Sequence, residues 1–225
     1  MVSQTYFILL VVALALALVD WLAVVRQWKR LEYVFKPATL VAVLVGAWLL
    51  TRGPHDTWQA PLFLAGLVFS LGGDVFLMLP GERWFLAGLV SFLLGHVCYI
   101  VGLNPTVPPW STLVILVLVG VVGAVLYRSI AAGLRRQGQT SMLIPVAVYS
   151  AVLSLMLFSA WATLFRPEWT PMRRGLVIAG ASLFFASDAM LAWDRFVTRS
   201  SLLNVLVIVT YHLGQMALAA SIALW

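Results

Sequence analysis

Eight apolar segments, most of them close to the length of a membrane span, follow one another along nearly the whole chain of 225 residues. A helix needs about 20 apolar residues to cross the hydrocarbon core of a bilayer, where lipid offers no partner for unpaired backbone groups. Breakers such as Pro80-Gly81 and Asn104-Pro105 separate the segments. The pattern predicts transmembrane helices over residues 4–25, 36–51, 59–79, 84–103, 110–128, 141–164, 174–193 and 202–224.

Composition supports the same fold class, an all-α polytopic membrane protein built as a bundle of eight transmembrane helices. The chain is 63% hydrophobic and 10% charged, whereas soluble domains are about 45–50% apolar and about 25% charged. Spans and short loops use up its length, so we expect a single transmembrane helical domain over residues 1–225. The first span lacks a preceding Lys or Arg and a clear cleavage site, so we expect a retained helix rather than a signal peptide. A lone cysteine, Cys98, excludes an internal disulfide.

The basic residues are distributed unequally between the two sides of this bundle. Eight spans place both termini on one side, and ten of the 14 Lys and Arg residues then fall on the other. Because cytoplasmic loops carry the excess of positive charge, we expect both termini outside the cytoplasm, in a multi-pass protein of the inner cell membrane. The net charge of +6 therefore reflects topology and anionic headgroups, and we expect no nucleic-acid partner. The ten are Arg26, Lys29, Arg30, Lys36, Arg83, Arg128, Arg135, Arg136, Arg195 and Arg199.

Two acidic residues, Asp74 and Asp188, lie inside apolar runs. A charged side chain at the centre of a bilayer costs at least about 2.5–3.5 kcal/mol, so an intramembrane acid marks a functional site by default. The alternative is a structural hydrogen bond between helices. Both acids are expected one to two helical turns from the cytoplasmic ends of their spans.

Other polar residues are expected at compatible depths, around one cavity open to the cytoplasmic face. Lys36 opens the second span in this interpretation, although a lone lysine often extends to the headgroups instead. His96 is nearer the middle of the membrane, where it is as easily explained by a hydrogen bond between helices. Asp20 is expected at the interface. The remaining candidates are Tyr149, Ser187, Asn204, Tyr211 and His212.

A weak internal similarity relates the two acid-bearing spans. Aligning Asp74 with Asp188 also aligns Gly66 with Gly180, and the span after each acid carries a histidine. The similarity predicts a parallel repeat, with chance resemblance between apolar segments as the alternative.

A set of short motifs, in order along the chain, resembles the YhhN-like membrane proteins, the lysoplasmalogenase family. The resemblance implies a hydrolase that cleaves the vinyl ether bond of lysoplasmalogens into a fatty aldehyde and glycerophospho-ethanolamine or -choline, without a cofactor or a metal. Its substrate partner is a lysophospholipid in the membrane. The motifs are FKPAT with Lys36, SLGGDVFLML with Asp74, FLLGHVCYI with His96, IPVAVYS with Tyr149, FFASDAMLAWDRF with Ser187 and Asp188, and TYHLGQ with Tyr211.

That activity suits a pair of carboxyl groups, because a vinyl ether resists bases and yields to acid. Protonation at carbon gives an oxocarbenium ion, as in glycoside hydrolysis, so one acid must be protonated while a second carboxylate stabilises the cation or activates water. Our hypothesis is that Asp74 and Asp188 form this pair, and the sequence does not decide which of them is the acid. His96 would orient water or tune one of the acids, and Lys36 would meet the substrate phosphate. The other substrate-binding candidates are Tyr149, Tyr211, Ser187 and Asn204.

Three alternatives to this reading are open from the sequence. Intramembrane acids and a lysine also serve proton-coupled or small-molecule transporters. A metal-dependent lipid hydrolase would draw on His96, His212, Asp74 and Asp188, although no tight histidine spacing supports it. A purely structural scaffold would leave both acids unexplained. The sequence does not specify headgroup preference, chain length or oligomeric state.

Overall fold

The computed structural model describes residues 2–51 and 58–222, which fold as eight α-helices without a strand in these ranges. All eight are long and apolar enough to cross a membrane, which confirms the predicted fold class. The helices are α1 (Val2–Val25), α2 (Lys29–Leu50), α3 (Gln59–Met78), α4 (Glu82–Leu103), α5 (Leu113–Arg136), α6 (Leu143–Ala162), α7 (Pro171–Phe196) and α8 (Ser201–Ser221).

Several helices extend beyond the apolar runs that predicted them. Helix α2 begins at Lys29 rather than at residue 36, and α5 continues to Arg136 rather than ending at 128. Hydropathy detects only the apolar part of a helix, whereas charged residues prolong it: Glu32 in the first turn of α2 and Arg136 in the last turn of α5 suit the helix dipole. Lys36 therefore does not open the second span but lies about 10 Å inside the helix, at 1.5 Å per residue.

Neighbouring helices pack as hairpins, with the closest packing within α1–α2, α3–α4 and α7–α8. Helix α8 also packs against α1, α2 and α3, and α6 packs against α4, so the two halves of the chain interleave. Helix α5 contacts mainly α6 and exposes much of its surface, including Val117 and Leu118.

In each of the α3–α4 and α7–α8 hairpins, the two helices cross at a pair of glycines. A Cβ atom on Gly95 would lie 3.1 Å from the carbonyl oxygen of Gly66, and one on Gly214 would lie 3.0 Å from that of Gly180. Such close backbone approach is what small residues permit between membrane helices. Gly66 and Gly180, which align in the sequence, thus occupy equivalent places in the two hairpins.

One end of the bundle is closed by buried arginines. Arg166 donates hydrogen bonds to the carbonyl oxygens of Leu103 (2.5 Å) and Thr106 (2.8 Å) and to Oδ1 of Asn104 (2.9 Å), which satisfies the carboxyl end of α4. Arg173 donates to Oε1 of Gln59 at 3.0 Å. The two acids lie towards the opposite end.

Candidate active site

Asp74 lies in the carboxyl-terminal half of α3, where its side chain is fully buried (0% exposed) between α2 and α8. The Nζ atom of Lys36 is 3.2 Å from one carboxylate oxygen, Oδ1. The phenol of Tyr211 donates a hydrogen bond to the other, Oδ2, at 2.7 Å. A cation and a neutral donor from two other helices therefore balance this buried acid.

Asp188 lies in the equivalent part of α7 and is also buried (8% exposed). The phenol of Tyr149, on α6, donates a hydrogen bond to its Oδ2. Nε2 of His96, on α4, lies 3.8 Å from the same oxygen, which is too far for a direct hydrogen bond. In the described part of the chain, neither a lysine nor an arginine lies within 4.0 Å of this carboxyl group.

Both acids line one cavity of about 790 Å³. Its walls come from the carboxyl-terminal parts of α1, α3 and α7, the amino-terminal parts of α2 and α8, and Phe92 of α4. Lys29 and Glu32 form an ion pair on α2, with Nζ 2.7 Å from Oε2, and both line the same cavity. The polar candidates from the sequence that line it are Lys36, Asp74, Ser187, Asp188, Asn204 and Tyr211.

Two of the catalytic and substrate-binding candidates are absent from this lining, and a third, Ser187, also serves the helix packing. Tyr149 and His96 lie beside Asp188 but do not line the cavity, and their rings meet edge to face at 5.4 Å between centroids. Ser187 lines the cavity, but its hydroxyl donates to the carbonyl oxygen of Val207 at 2.9 Å, which ties α7 to α8.

Aromatic rings that the sequence reasoning missed pack between the two acids. The Phe184 ring lies edge-on to His96, Tyr211 and Phe92, at centroid distances of 4.7, 5.5 and 6.1 Å. The spacing carried a signal for them: Phe184 precedes Asp188 by four residues and Phe92 precedes His96 by four, which places each pair on one helix face.

Two residues differ from their predicted places. Asp20, expected at the interface, is 0% exposed, and neither of its carboxylate oxygens has a hydrogen-bond partner among the described residues. His212, a candidate metal ligand, instead accepts a hydrogen bond at Nδ1 from Nε1 of Trp21 at 3.1 Å. Within residues 2–51 and 58–222, no three His, Cys, Asp or Glu side chains are grouped so as to hold a metal ion.

The fold and the site thus define a multi-pass membrane protein with two buried acids at one cavity. The chain belongs to the YhhN family, whose model matches residues 31–222, and the resemblance found in the motifs is confirmed.

Named relatives cover most of the chain. A mouse protein named lysoplasmalogenase TMEM86B is 29% identical over 213 residues, 94% of this chain and 83% of the relative. A Mycobacterium tuberculosis protein named lysoplasmalogenase is 30% identical over 197 residues, 84% of this chain and 69% of its own. A membrane protein of Escherichia coli named YhhN, described as uncharacterized, is 28% identical and covers 94% of this chain and 98% of its own. No solved structure matches the chain.

Proposed function

We propose that the protein is a lysoplasmalogenase, which hydrolyses the vinyl ether bond of lysoplasmenyl-ethanolamine or -choline. The observation that carries this proposal is the pair of buried acids, Asp74 and Asp188, on one cavity of about 790 Å³. Relatives with that name cover most of the chain, which supports the same reaction class. The chemistry needs one protonated and one ionised carboxyl group, and the two acids have partners of different charge.

Asp188 is the general acid in this proposal. A buried carboxylate is costly without a cation, so a carboxyl group whose polar neighbours are Tyr149 and His96 is more stable as the neutral acid. Asp74 is the carboxylate, because the ammonium of Lys36 compensates its charge at 3.2 Å. One acid is thus held protonated and the other ionised without a metal ion.

The substrate headgroup enters the polar cavity. The ammonium of Lys36 has three N–H donors, and one faces Asp74, so the others are available to the substrate phosphate or the glycerol oxygen. Lys29 and Glu32 line the same cavity and carry the two charges that complement a zwitterionic headgroup. Asn204 supplies a further polar side chain there.

The reaction begins with protonation at carbon. Asp188 transfers its proton to the alkenyl carbon remote from oxygen; the π electrons form the new C–H bond, and an ether oxygen lone pair gives the oxocarbenium ion. The Asp74 carboxylate and the faces of nearby aromatic rings stabilise this cation. Nε2 of His96, 3.8 Å from Asp188, comes within hydrogen-bonding reach after a small movement, since catalytic contacts are often long before substrate binds.

Hydration and collapse complete the cycle. Water, oriented by Asp74, adds to the oxocarbenium carbon and gives a proton to the Asp188 carboxylate, which leaves a neutral hemiacetal. Asp188 then protonates the glycerol oxygen as the C–O bond breaks, and it receives the hemiacetal hydroxyl proton as the aldehyde forms. The products are a fatty aldehyde and the glycerophospho-compound, with one water consumed and the acid regenerated.

The proposal is tested with purified protein and a defined lysoplasmenyl-ethanolamine. Wild type should release aldehyde, and Asp74→Asn and Asp188→Asn should release it at least about a hundredfold more slowly. Asp194→Asn is the matched control, because Asp194 belongs to the same helix end but accepts a hydrogen bond from the Ser200 amide at 2.6 Å, outside the cavity lining. Uptake of lysolipid into proteoliposomes without product would favour the transporter instead.

Isotope incorporation tests the protonation step separately. In deuterated water, with the aldehyde trapped at once by borohydride, the product alcohol should carry one deuterium at the carbon next to the former carbonyl. An alcohol without that deuterium would refute proton transfer to carbon by an exchangeable acid.

The cavity opens towards the cytoplasm in this proposal. The positive charges that favour this orientation include Lys29 and Arg30 at the start of α2. A Ser201→Cys variant on a Cys98→Ala background places a single thiol on the cavity lining. A membrane-impermeant maleimide should label it only after cell lysis, and labelling in intact cells would reverse the orientation.

A further inference from the structure

A second, narrow space lies on the other side of Asp188. It has a volume of about 60 Å³ and is bounded by helices α3 to α7, and we call it the apolar crevice. Asp188, Leu77, Phe92 and Leu191 line both the apolar crevice and the polar cavity. The carboxyl group of Asp188 therefore lies where a polar space meets an apolar one.

The walls of the apolar crevice are almost entirely hydrocarbon. The lining residues include Leu89, Leu126, Ile130, Leu153 and Phe185. Besides Asp188, the one charged lining residue is Arg195, whose guanidinium stacks 3.7 Å from the centroid of the Phe85 ring. One water needs about 10–15 Å³ on the same measure, so 60 Å³ accommodates several methylene-sized groups. Its outer wall is α5, the helix that exposes most of its surface.

We propose that the apolar crevice binds the first methylenes of the substrate's alkenyl chain. This rests on the proposed function, because it concerns how the same substrate is held. A lysoplasmalogen has a charged headgroup at one end, a hydrocarbon chain at the other, and the vinyl ether between them. With the headgroup in the polar cavity and the chain in the apolar crevice, the vinyl ether lies at Asp188.

The alternative would place the chain in the polar cavity with the headgroup. An alkenyl chain that leaves the bilayer gains little affinity when it enters another apolar site. In the polar cavity, beside Lys36 and Asp74, it would lose affinity, because each methylene left in water rather than hydrocarbon lowers the binding constant about fourfold. The chain must also fix the alkene carbon within reach of the Asp188 proton, and a narrow crevice restricts its position more than an open cavity does.

A photoreactive, non-hydrolysable substrate analogue tests the inference on the wild-type protein. The probe is a 1-O-alkyl lysophosphoethanolamine with a diazirine on the fourth or fifth chain carbon, used with and without excess unlabelled alkyl analogue. The competed label should map to α5 and α6, near Leu126 and Leu153. Competed label on cavity residues such as Val24 or Ile208, or an absence of competed label, would overturn the proposal.

A matched pair of variants on α5 gives the second readout. Leu126→Trp fills the apolar crevice. Leu118→Trp makes the same change two turns earlier in α5, at a residue that is 61% exposed. Leu126→Trp should abolish the competed label and lower kcat/KM at least tenfold, and Leu118→Trp should leave both within twofold. Equal effects of the two variants, with both proteins monodisperse and helical, would contradict the inference.

The two proposals fail in different ways. Wild type that does not cleave lysoplasmenyl lipid but labels Leu126 competitively would refute the lysoplasmalogenase and keep the apolar crevice as a lipid-chain site. Wild type that cleaves the lipid but carries its competed label elsewhere would refute the chain site alone.

Discussion

Asp74 and Asp188 have similar surroundings, but among the described residues only Asp74 has a cation beside it. Both acids are buried, both line the same cavity, and each accepts a hydrogen bond from a tyrosine phenol. Asp74 also has an ammonium group 3.2 Å away, whereas the second polar neighbour of Asp188 is a histidine ring nitrogen at 3.8 Å. A single cation therefore distinguishes two otherwise similar sites.

The helices supply these partners in a repeating way. The first unit consists of α2, α3 and α4, and the second of α6, α7 and α8. In the first unit, α2 precedes the acid-bearing α3 and provides Lys36. In the second, α6 precedes α7 and provides Tyr149. The last helix of each unit reaches across to the other acid: α8 provides Tyr211 to Asp74, and α4 provides His96 to Asp188. One arrangement, used twice, gives the two acids partners of different charge, because the preceding helix carries a lysine in one unit and a tyrosine in the other.

The largest effect should come from removing the acid that has no cation. Asp188→Asn keeps a polar group of the same size but cannot donate a proton to carbon, and general acids contribute about 10²–10⁴-fold. We expect kcat to fall about a thousandfold, with the affinity for a non-hydrolysable 1-O-alkyl lysolipid unchanged within about threefold. Single-turnover cleavage and equilibrium binding measure the two quantities. A larger loss in Asp74→Asn than in Asp188→Asn would reverse the assigned roles.

The ion pair of Asp74 should appear in stability as well as in activity. Asp74→Asn leaves the Lys36 ammonium, 16% exposed, without its partner, and breaking a buried pair from one side costs up to about 3 kcal/mol when water reaches one member. We expect thermal unfolding in detergent at a lower temperature than wild type, together with about a hundredfold loss of kcat.

A double variant separates the two contributions. Lys36→Met with Asp74→Asn removes both charges, so the unfolding temperature should return towards that of wild type while activity stays low. A double variant that unfolds at the temperature of Asp74→Asn alone would show that the unpaired Lys36 ammonium is not what destabilises Asp74→Asn. Lys36 would then be assigned only to substrate binding.

The helices were predictable from the sequence because the membrane imposes length and apolarity on each span. Their ends were not: Lys29 to Phe35 reads as a charged loop by hydropathy, yet it forms the first two turns of α2. The predicted helix end therefore placed Lys36 at the membrane surface, whereas in the structure Lys36 lies within α2 beside Asp74. The end of a span is determined by helix propensity and charge placement, which a hydropathy window averages away.

The two acids could be identified from sequence because an acid in an apolar run is rare. Their partners could not, since Tyr211 is as plausible a packing residue as any other tyrosine until α8 is seen beside α3. Asp20 shows the limit in the other direction: its position near a span end predicted an interfacial residue, but the neighbouring helices cover it completely. The hydrophobic periodicity of one helix does not reveal which distant helix packs against it.

Removing the two phenols compares the acids more finely. Tyr149→Phe removes a hydrogen-bond donor from Asp188, so the carboxylate left after proton transfer is less stable, and we expect kcat to fall about tenfold, equal to about 1.4 kcal/mol. Tyr211→Phe removes the donor from Asp74, but Lys36 still compensates that charge, so a loss of about two- to threefold is expected. Steady-state kinetics on both variants decides the order. Equal losses would mean that the cation does not distinguish the acids.

The smallest expected effect on kcat belongs to His212, one of the two histidines of the repeat. His96→Gln retains a nitrogen near Asp188 but changes its reach, so kcat should fall about three- to fivefold. His212→Gln lies away from the acids and weakens the contact with Trp21 at 3.1 Å, so it should cost about 1 kcal/mol of stability and leave kcat unchanged. Measuring both quantities in both variants separates a residue beside the chemistry from one that only packs α8 against α1. If His212→Gln lowered kcat at an unchanged unfolding temperature, the second histidine would act in the reaction, and the two units would resemble each other more closely than their contacts indicate.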